Sequence, residues 1–304
     1  MVSPSRRPSG ILSNVPTAAR VARASRLTPA ERERRTGSGG AARRGLPGPM
    51  LAPAAIGVAF LLLPLVGLLL RTPWNGLGQI LATADVTQAL RLSLWTASVA
   101  TVISIVLGVP LAWLLARSQF PGLALLRALV TLPLVLPPVV GGVALLLAFG
   151  REGFVGRYLD QWFGITLPFS TAAVILAETF VAMPFRVVTV EGALRSADQG
   201  YDEAAATLGA SRMTVFRRVS LPLIAPSLVA GAVLCWARAL GEFGATIAFA
   251  GNFPGRTQTM PLAVYLALQS DPDAAIALSV VLLVVSVLVL VLLRDRWLRN
   301  GPFQ

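Results

Sequence analysis

Residues Glu203–Pro222 read EAAATLGASRMTVFRRVSLP and separate two long apolar runs. Glu203-Ala204-Ala205 opens the stretch, Gly209 follows, and nine residues later comes Val219-Ser220-Leu221-Pro222. Glu203, Ala204, Ala205, Ala206 and Leu208 are good helix formers. Gly209 supplies the left-handed residue that commonly ends a helix. Ser211 is placed to cap a second short helix. On that helix Val215, Phe216 and Val219 share an apolar face, with Arg212, Arg217 and Arg218 elsewhere. Pro222 closes it and opens the next apolar run, since proline is tolerated in a first helical turn. The stretch therefore predicts a polar helix-turn-helix knob at a membrane surface. The plainer alternative is an amphipathic loop helix lying on lipid headgroups.

The rest of the chain supplies the membrane. Of 304 residues 55% are hydrophobic and 13% charged, and mean hydropathy is +0.71, the composition of an all-α polytopic membrane protein. All 26 basic residues are Arg; there is no Lys, no His and a single Cys, Cys235, inside an apolar run. An intrachain disulfide is therefore impossible, and His- or Cys-based metal and catalytic sites are not expected. A Walker A loop needs its Lys, so ATP hydrolysis would have to come from another subunit. No catalytic residue, metal site or cofactor of this chain's own is expected. The net charge of +12 does not point to nucleic acid. Ten Arg lie in residues 1–44, and the others mostly flank apolar runs, as membrane topology requires.

Six spans are predicted, at about 50–70, 92–116, 128–149, 171–192, 225–249 and 274–293. Residues 1–48, rich in Arg, Ser, Pro and Gly, read as a disordered Arg-rich tail. Met50, directly before the first span, is an alternative start to Met1. With the N-terminus inside, Arg117, Arg127, Arg195, Arg212, Arg217, Arg218, Arg294, Arg296 and Arg299 join the tail in the cytoplasm. Arg71, Arg91, Arg151, Arg157 and Arg256 lie outside. This asymmetry predicts a multi-pass protein of the bacterial cytoplasmic membrane with both termini cytoplasmic and the knob on the same side.

Polar residues inside spans are costly and point to packing or pathway roles. Ala237, Gly241 and Ala245 recur every four residues, a stripe that permits close helix approach. Arg238, Glu242 and Thr246 recur at the same spacing on the adjacent face, where the two charges can pair. They are candidates for the pathway or its gate, with a structural ion pair as the alternative. Arg186 is expected near the cytoplasmic end of its span, snorkelling to the interface.

The spacing E-A-A, three residues, Gly, nine residues, Val-x-Leu-Pro resembles the EAA loop of bacterial ABC-importer permeases, with Val219 in place of Ile. Further stretches resemble the molybdate permease family: Phe120-Pro121-Gly122, Leu132–Gly142, Gly150-Arg151, Gly153-Phe154, Trp162–Thr166, and above all Ala237–Ile247 with Asn252, Pro254-Gly255 and Thr257. The resemblance covers about residues 88–293. It implies a type I ABC-importer permease fold, with residues 49–87 forming the first transmembrane helix and outer loop, 88–293 the permease domain and 294–304 a cytoplasmic tail. It also implies partners: two copies of an ABC ATPase subunit that uses the ATP, a second permease copy, an extracytoplasmic molybdate-binding protein, and membrane lipid. Glu203, Ala204, Ala205, Gly209, Val215, Phe216, Leu221 and Pro222 would form the ATPase-coupling loop. Sulfate and tungstate permeases share this architecture. An ATP-independent secondary anion transporter is the reading from another class; it would rely on Glu178 and Glu242 and give the knob no task.

Overall fold

A computed structural model describes residues 48–197 and 200–299. The expected tail lies outside the described residues except for Gly48, and so do residues 300–304 and the side chains of Glu203, Arg294, Arg296 and Arg299.

Among the described residues the secondary structure is helical throughout. The chain divides into two units, up to Leu63 and from Pro64 onward. Helix α1 (Gly48–Leu70) runs across that division; it carries no charge and has a mean hydropathy of 2.4 over Met50–Leu70. The second unit continues with α2 (Leu77–Leu81), α3 (Ala84–Arg117), α4 (Leu123–Val135), α5 (Pro138–Phe149), α6 (Gly156–Phe163) and α7 (Thr171–Ser196). Then come α8 (Gly200–Thr207), α9 (Arg212–Val215), a π-helical turn (Phe216–Ser220), α10 (Leu221–Leu223), α11 (Ala225–Leu240), α12 (Gly244–Phe249), α13 (Met260–Ser270) and α14 (Pro272–Arg299).

Among the described residues, four helices are long and apolar enough to cross a membrane: α1, α3, α7 and α14. The count rises to six if each of two bent pairs is one span. The expected third span, 128–149, is not one straight helix: α4 and α5 meet at 118°. The break falls at Leu136 and Pro137, whose backbones are extended, because each precedes a proline and the helical region is disfavoured there. The expected fifth span, 225–249, is also divided, since α11 ends at Leu240 and α12 starts at Gly244. Helices α3 and α14 extend beyond the expected spans, and α13 is a short apolar helix between the expected fifth and sixth spans.

Helix α7 is the hub. Its buried face packs against α3, α11 and α12 through small and β-branched residues. Ala97 and Ala100 of α3 meet Ala182 of α7 and Cys235 and Ala239 of α11 with almost no exposure, the close approach small side chains allow in a membrane. The short helices α5 and α12, each beginning after a break, pack on one another. A Cβ on Gly142 would sit 2.7 Å from the Ala245 carbonyl oxygen, and one on Gly244 would sit 2.8 Å from Pro138 Cβ. Both positions therefore require glycine, and the contact seats the α11–α12 break against the bundle.

Candidate functional site

The knob forms as its local chemistry dictates. Helix α8 runs to Thr207, and Gly209 then takes φ +80°. The Ala210 N–H donates to the Ala205 carbonyl, 3.1 Å away, closing the left-handed turn. The Ser211 hydroxyl accepts from the Thr214 N–H at 3.2 Å and so caps α9. Beyond α9 the helix widens: the Leu221 N–H donates to the Phe216 carbonyl, five residues back. Pro222, next in line, has no N–H to continue the α-helical ladder. At Ile224 the chain bends by 75° into α11.

Hydrophobic patterning groups Phe216 with Val215 on one apolar face of the coupling loop. The structure turns Phe216 inward. Its ring meets Trp113 of α3 edge-on at 5.7 Å, and Phe216 and Leu221 both pack on the cluster around Leu115 and Leu194. The reason is proximity: the knob follows directly on α7, and its apolar side chains find the ends of α3 and α7 first. Val215 is half-buried, Ala204, Gly209 and Pro222 are exposed, and Ala205 is half-buried. The outward apolar residues are Leu208, 89% exposed, and Met213, 58% exposed, neither of which hydrophobic periodicity singled out.

The second group lies at the α11–α12 break. Arg238 Nη1 is 2.6 Å from Glu242 Oε2, and Glu242 is only 1% exposed. Its other oxygen, Oε1, accepts the Ala245 N–H at 2.8 Å. Glu242 thus neutralises an arginine and satisfies an N-terminal amide of α12. The expected continuous stripe Ala237-Gly241-Ala245 does not exist, because Ala245 belongs to the next helix. The pair survives because Gly241 and Glu242 still turn tightly, with the Glu242 N–H donating to the Ala239 carbonyl. Thr246 is fully buried, and its hydroxyl has no partner among the described residues.

Three further buried charges, Glu178, Arg186 and Glu191, find partners on other helices. Glu178 accepts the Thr96 hydroxyl at 2.8 Å and lies close enough to Glu242 to interact electrostatically. Arg186 does not snorkel: it is 3% exposed and donates to the Leu228 carbonyl of α11. Glu191 accepts from Arg127 at 2.9 Å and from Arg195 at 3.0 Å. The Glu191–Arg195 spacing of four was visible in the sequence; Arg127, on another helix, was not.

The loop between α5 and α7 has its own tie. Arg151 Nε donates to Asp160 at 3.0 Å and the Thr166 hydroxyl donates to it at 3.0 Å. The guanidinium and the hydroxyl hold the half-buried Asp160 carboxyl below its ordinary range. A Cβ on Gly156 would run into the Gly150 carbonyl, and one on Gly153 would lie 2.6 Å from the Ala148 oxygen. The glycines of GREGFVG are therefore required by the winding of the backbone.

The fold is thus a bundle of apolar helices with two broken elements and an exposed polar knob, the architecture of a multi-span membrane protein. Residues 108–300 match the family described as "Binding-protein-dependent transport system inner membrane component", and the chain belongs to that family. It is an integral membrane transport subunit, not an enzyme. Over 244 residues it is 52% identical to "Molybdenum transport system permease protein ModB" of Mycobacterium tuberculosis, covering 80% of this chain and 92% of the relative. The Escherichia coli K12 protein of the same name is 44% identical over 211 residues, 69% of this chain and 92% of that one. "Sulfate transport system permease protein CysT" of Salmonella typhimurium is 39% identical over 234 residues, 76% of this chain and 84% of that one. Among solved structures, a chain of a bacterial ABC transporter involved in alginate import superposes with TM-score 0.67 at 18% identity, covering 83% of this chain and 94% of that one. A chain of the inward-facing MetNI methionine ABC transporter gives 0.54 at 23% identity, covering 71% and 98%. These two establish the fold alone.

Proposed function

We propose that the chain is the pathway-forming subunit of an ATP-driven molybdate importer. Two copies would assemble with two ATPase subunits and an extracytoplasmic binding protein. The observation that carries the importer reading is the knob: an exposed helix-turn-helix anchored by Phe216 on the ends of α3 and α7. ATP-driven closure of two ATPases would move such a knob, and its anchor would pass the movement to the bundle. Glu203, Gly209, Leu208 and Met213 would form the docking surface on the cytoplasmic side, the side that the arginine asymmetry favours for both termini. Molybdate is favoured over sulfate by the higher identity to the molybdenum permeases than to the sulfate permease.

The pathway needs only transient contact with a tetrahedral dianion, because the binding protein supplies affinity. Arg238 is held by Glu242, so it would not trap an anion as a lone cation would. The pair would serve the gate by fixing the α11–α12 break, next to the buried Thr246. The test is uptake in cells lacking this protein. Loss of molybdate uptake at low external concentration, restored by the gene, is expected. Retained molybdate uptake with lost sulfate uptake would move the assignment to the sulfate branch.

A further inference from the structure

A cavity of about 460 Å³ opens where α3 and α7 end and α4 begins; Arg117, Arg127, Arg195, Ser118 and Gln119 line it. Its architecture goes beyond a salt bridge. Glu191, nearly buried, accepts the Nε–H of both Arg127 and Arg195 on one oxygen. The Leu115 carbonyl near the end of α3 accepts an Nη2–H from each, at 3.1 and 3.4 Å. Both guanidinium groups therefore spend the same edge, Nε with Nη2, on one carboxylate and one carbonyl. Each keeps its other edge, Nη1 with Nη2, without a partner among the described residues. That edge is the fork that fits two oxygens of a phosphate or similar oxyanion. Arg127 and Arg195 are 34% and 50% exposed, so the forks are accessible. Arg117 lies on the same wall, and among the described residues the Arg127 and Arg195 guanidinium groups share the single carboxylate of Glu191.

Here two arginines are oriented by a shared acceptor pair, which holds their free forks in place before any ligand arrives. We infer that this cavity is a binding site for a tetrahedral oxyanion, supplied either by the phosphodiester headgroup of an anionic lipid or by a free oxyanion. It lies beside the knob, because Leu115, Leu123 and Phe216 share one apolar cluster. On the proposed topology this is the cytoplasmic leaflet, where anionic headgroups and arginines attract. An occupied site would stiffen the junction through which the knob moves the bundle. Only that side assignment and that consequence rest on the proposed function; the binding itself does not.

The test uses the purified full-length permease without ATPase or substrate, so its failure is independent of the transport reading. Native mass spectrometry from nanodiscs containing phosphatidylglycerol and phosphatidylcholine reads lipid retention. Calorimetric titration with orthophosphate in neutral detergent reads free oxyanion. Preferential retention of phosphatidylglycerol, undisturbed by millimolar orthophosphate, identifies the lipid source. Orthophosphate binding without lipid preference identifies the free ion. Either supports the site, and neither binding overturns it. Arg127→Gln with Arg195→Gln is expected to weaken the observed binding by about tenfold or more, since charged hydrogen bonds are removed. Undiminished binding in a folded double variant overturns the inference. Should that variant fail to fold, Glu191→Gln decides. It keeps an acceptor for both Nε–H groups and removes the opposing charge, so binding should tighten by about fivefold; weaker or unchanged binding overturns the site.

Discussion

The knob and the α11–α12 break both carry glycine, a capped helix start and a charged residue, yet they are held in opposite ways. In the knob, a Cβ on Gly209 would meet nothing within 4 Å, so glycine is there for its φ of +80° alone. At the break, Gly142 and Gly244 are there for space, because another helix backbone occupies it. Ser211 caps α9 from within its own segment, whereas Glu242 satisfies an amide of α12 while bound to Arg238 in the interior. The difference teaches that the knob is a local structure that docks, and the break is a tertiary structure that cannot form without its neighbours. Damage to the first should spare the bundle; damage to the second should not.

The largest effect is expected at Glu242. Glu242→Ala leaves Arg238 without its partner and an α12 amide without its acceptor, a loss of about 3–5 kcal/mol for a buried charge pair broken on one side. Arg238→Ala removes the cation but leaves the carboxylate bonded to the Ala245 N–H, so it should cost less. The double variant should recover only part of the assembly yield, since the amide stays unsatisfied. Detergent-solubilised yield and size-exclusion profile measure all three; equal damage from both single variants would count against the capping role.

Next in size is Gly142→Ala. Its added methyl lies within 2.7 Å of a carbonyl oxygen, and overpacking of this kind costs about 1–3 kcal/mol. Gly209→Ala should cost only about 1 kcal/mol, from the left-handed backbone. If thermal unfolding in detergent ranks the two the other way, the contrast between the regions is wrong.

Gly209→Val should insert normally but lose ATPase co-purification and transport, because a β-branched residue opposes positive φ. Within the knob, Phe216→Ala should loosen the anchor on Trp113 and lower thermal stability. Leu208→Ser and Met213→Ser should leave stability unchanged and weaken ATPase association. Normal association in both serine variants would sink the reassigned docking face.

The smallest effect concerns the loop between α5 and α7. The Asp160 carboxyl is lowered in the folded chain, so its contribution is present above the unfolded value and lost as pH falls through the folded one. Between about pH 6 and 8 the ionic tie should be constant. Asp160→Asn should therefore change loop proteolysis equally at both ends of that range. A protease-sensitivity difference that grows toward pH 8 would contradict this.

Much of this was legible in the residues. Gly209 at positive φ, the Ser211 cap and the helices of the knob follow from interactions within four residues, and a linear sequence displays those. The apolar runs declared a membrane bundle because about twenty consecutive apolar residues have no other stable home. The Arg238–Glu242 pair was also visible, being one helical turn apart. Tertiary structure alone decided the rest. Pro137 and Pro138 disfavour the helical region at the residues before them, but only packing of α5 on α12 set the partner of α5. Hydrophobic periodicity showed that Phe216 was apolar and could not tell an anchor from a docking surface, since both are faces of one helix. The meeting of Arg127 with Glu191 and Arg195, and of Thr96 with Glu178, joins residues 64 and 82 positions apart. Such pairs exist because helices far apart in the chain end or cross at the same depth. That depth follows from how the whole bundle packs, which no local pattern encodes.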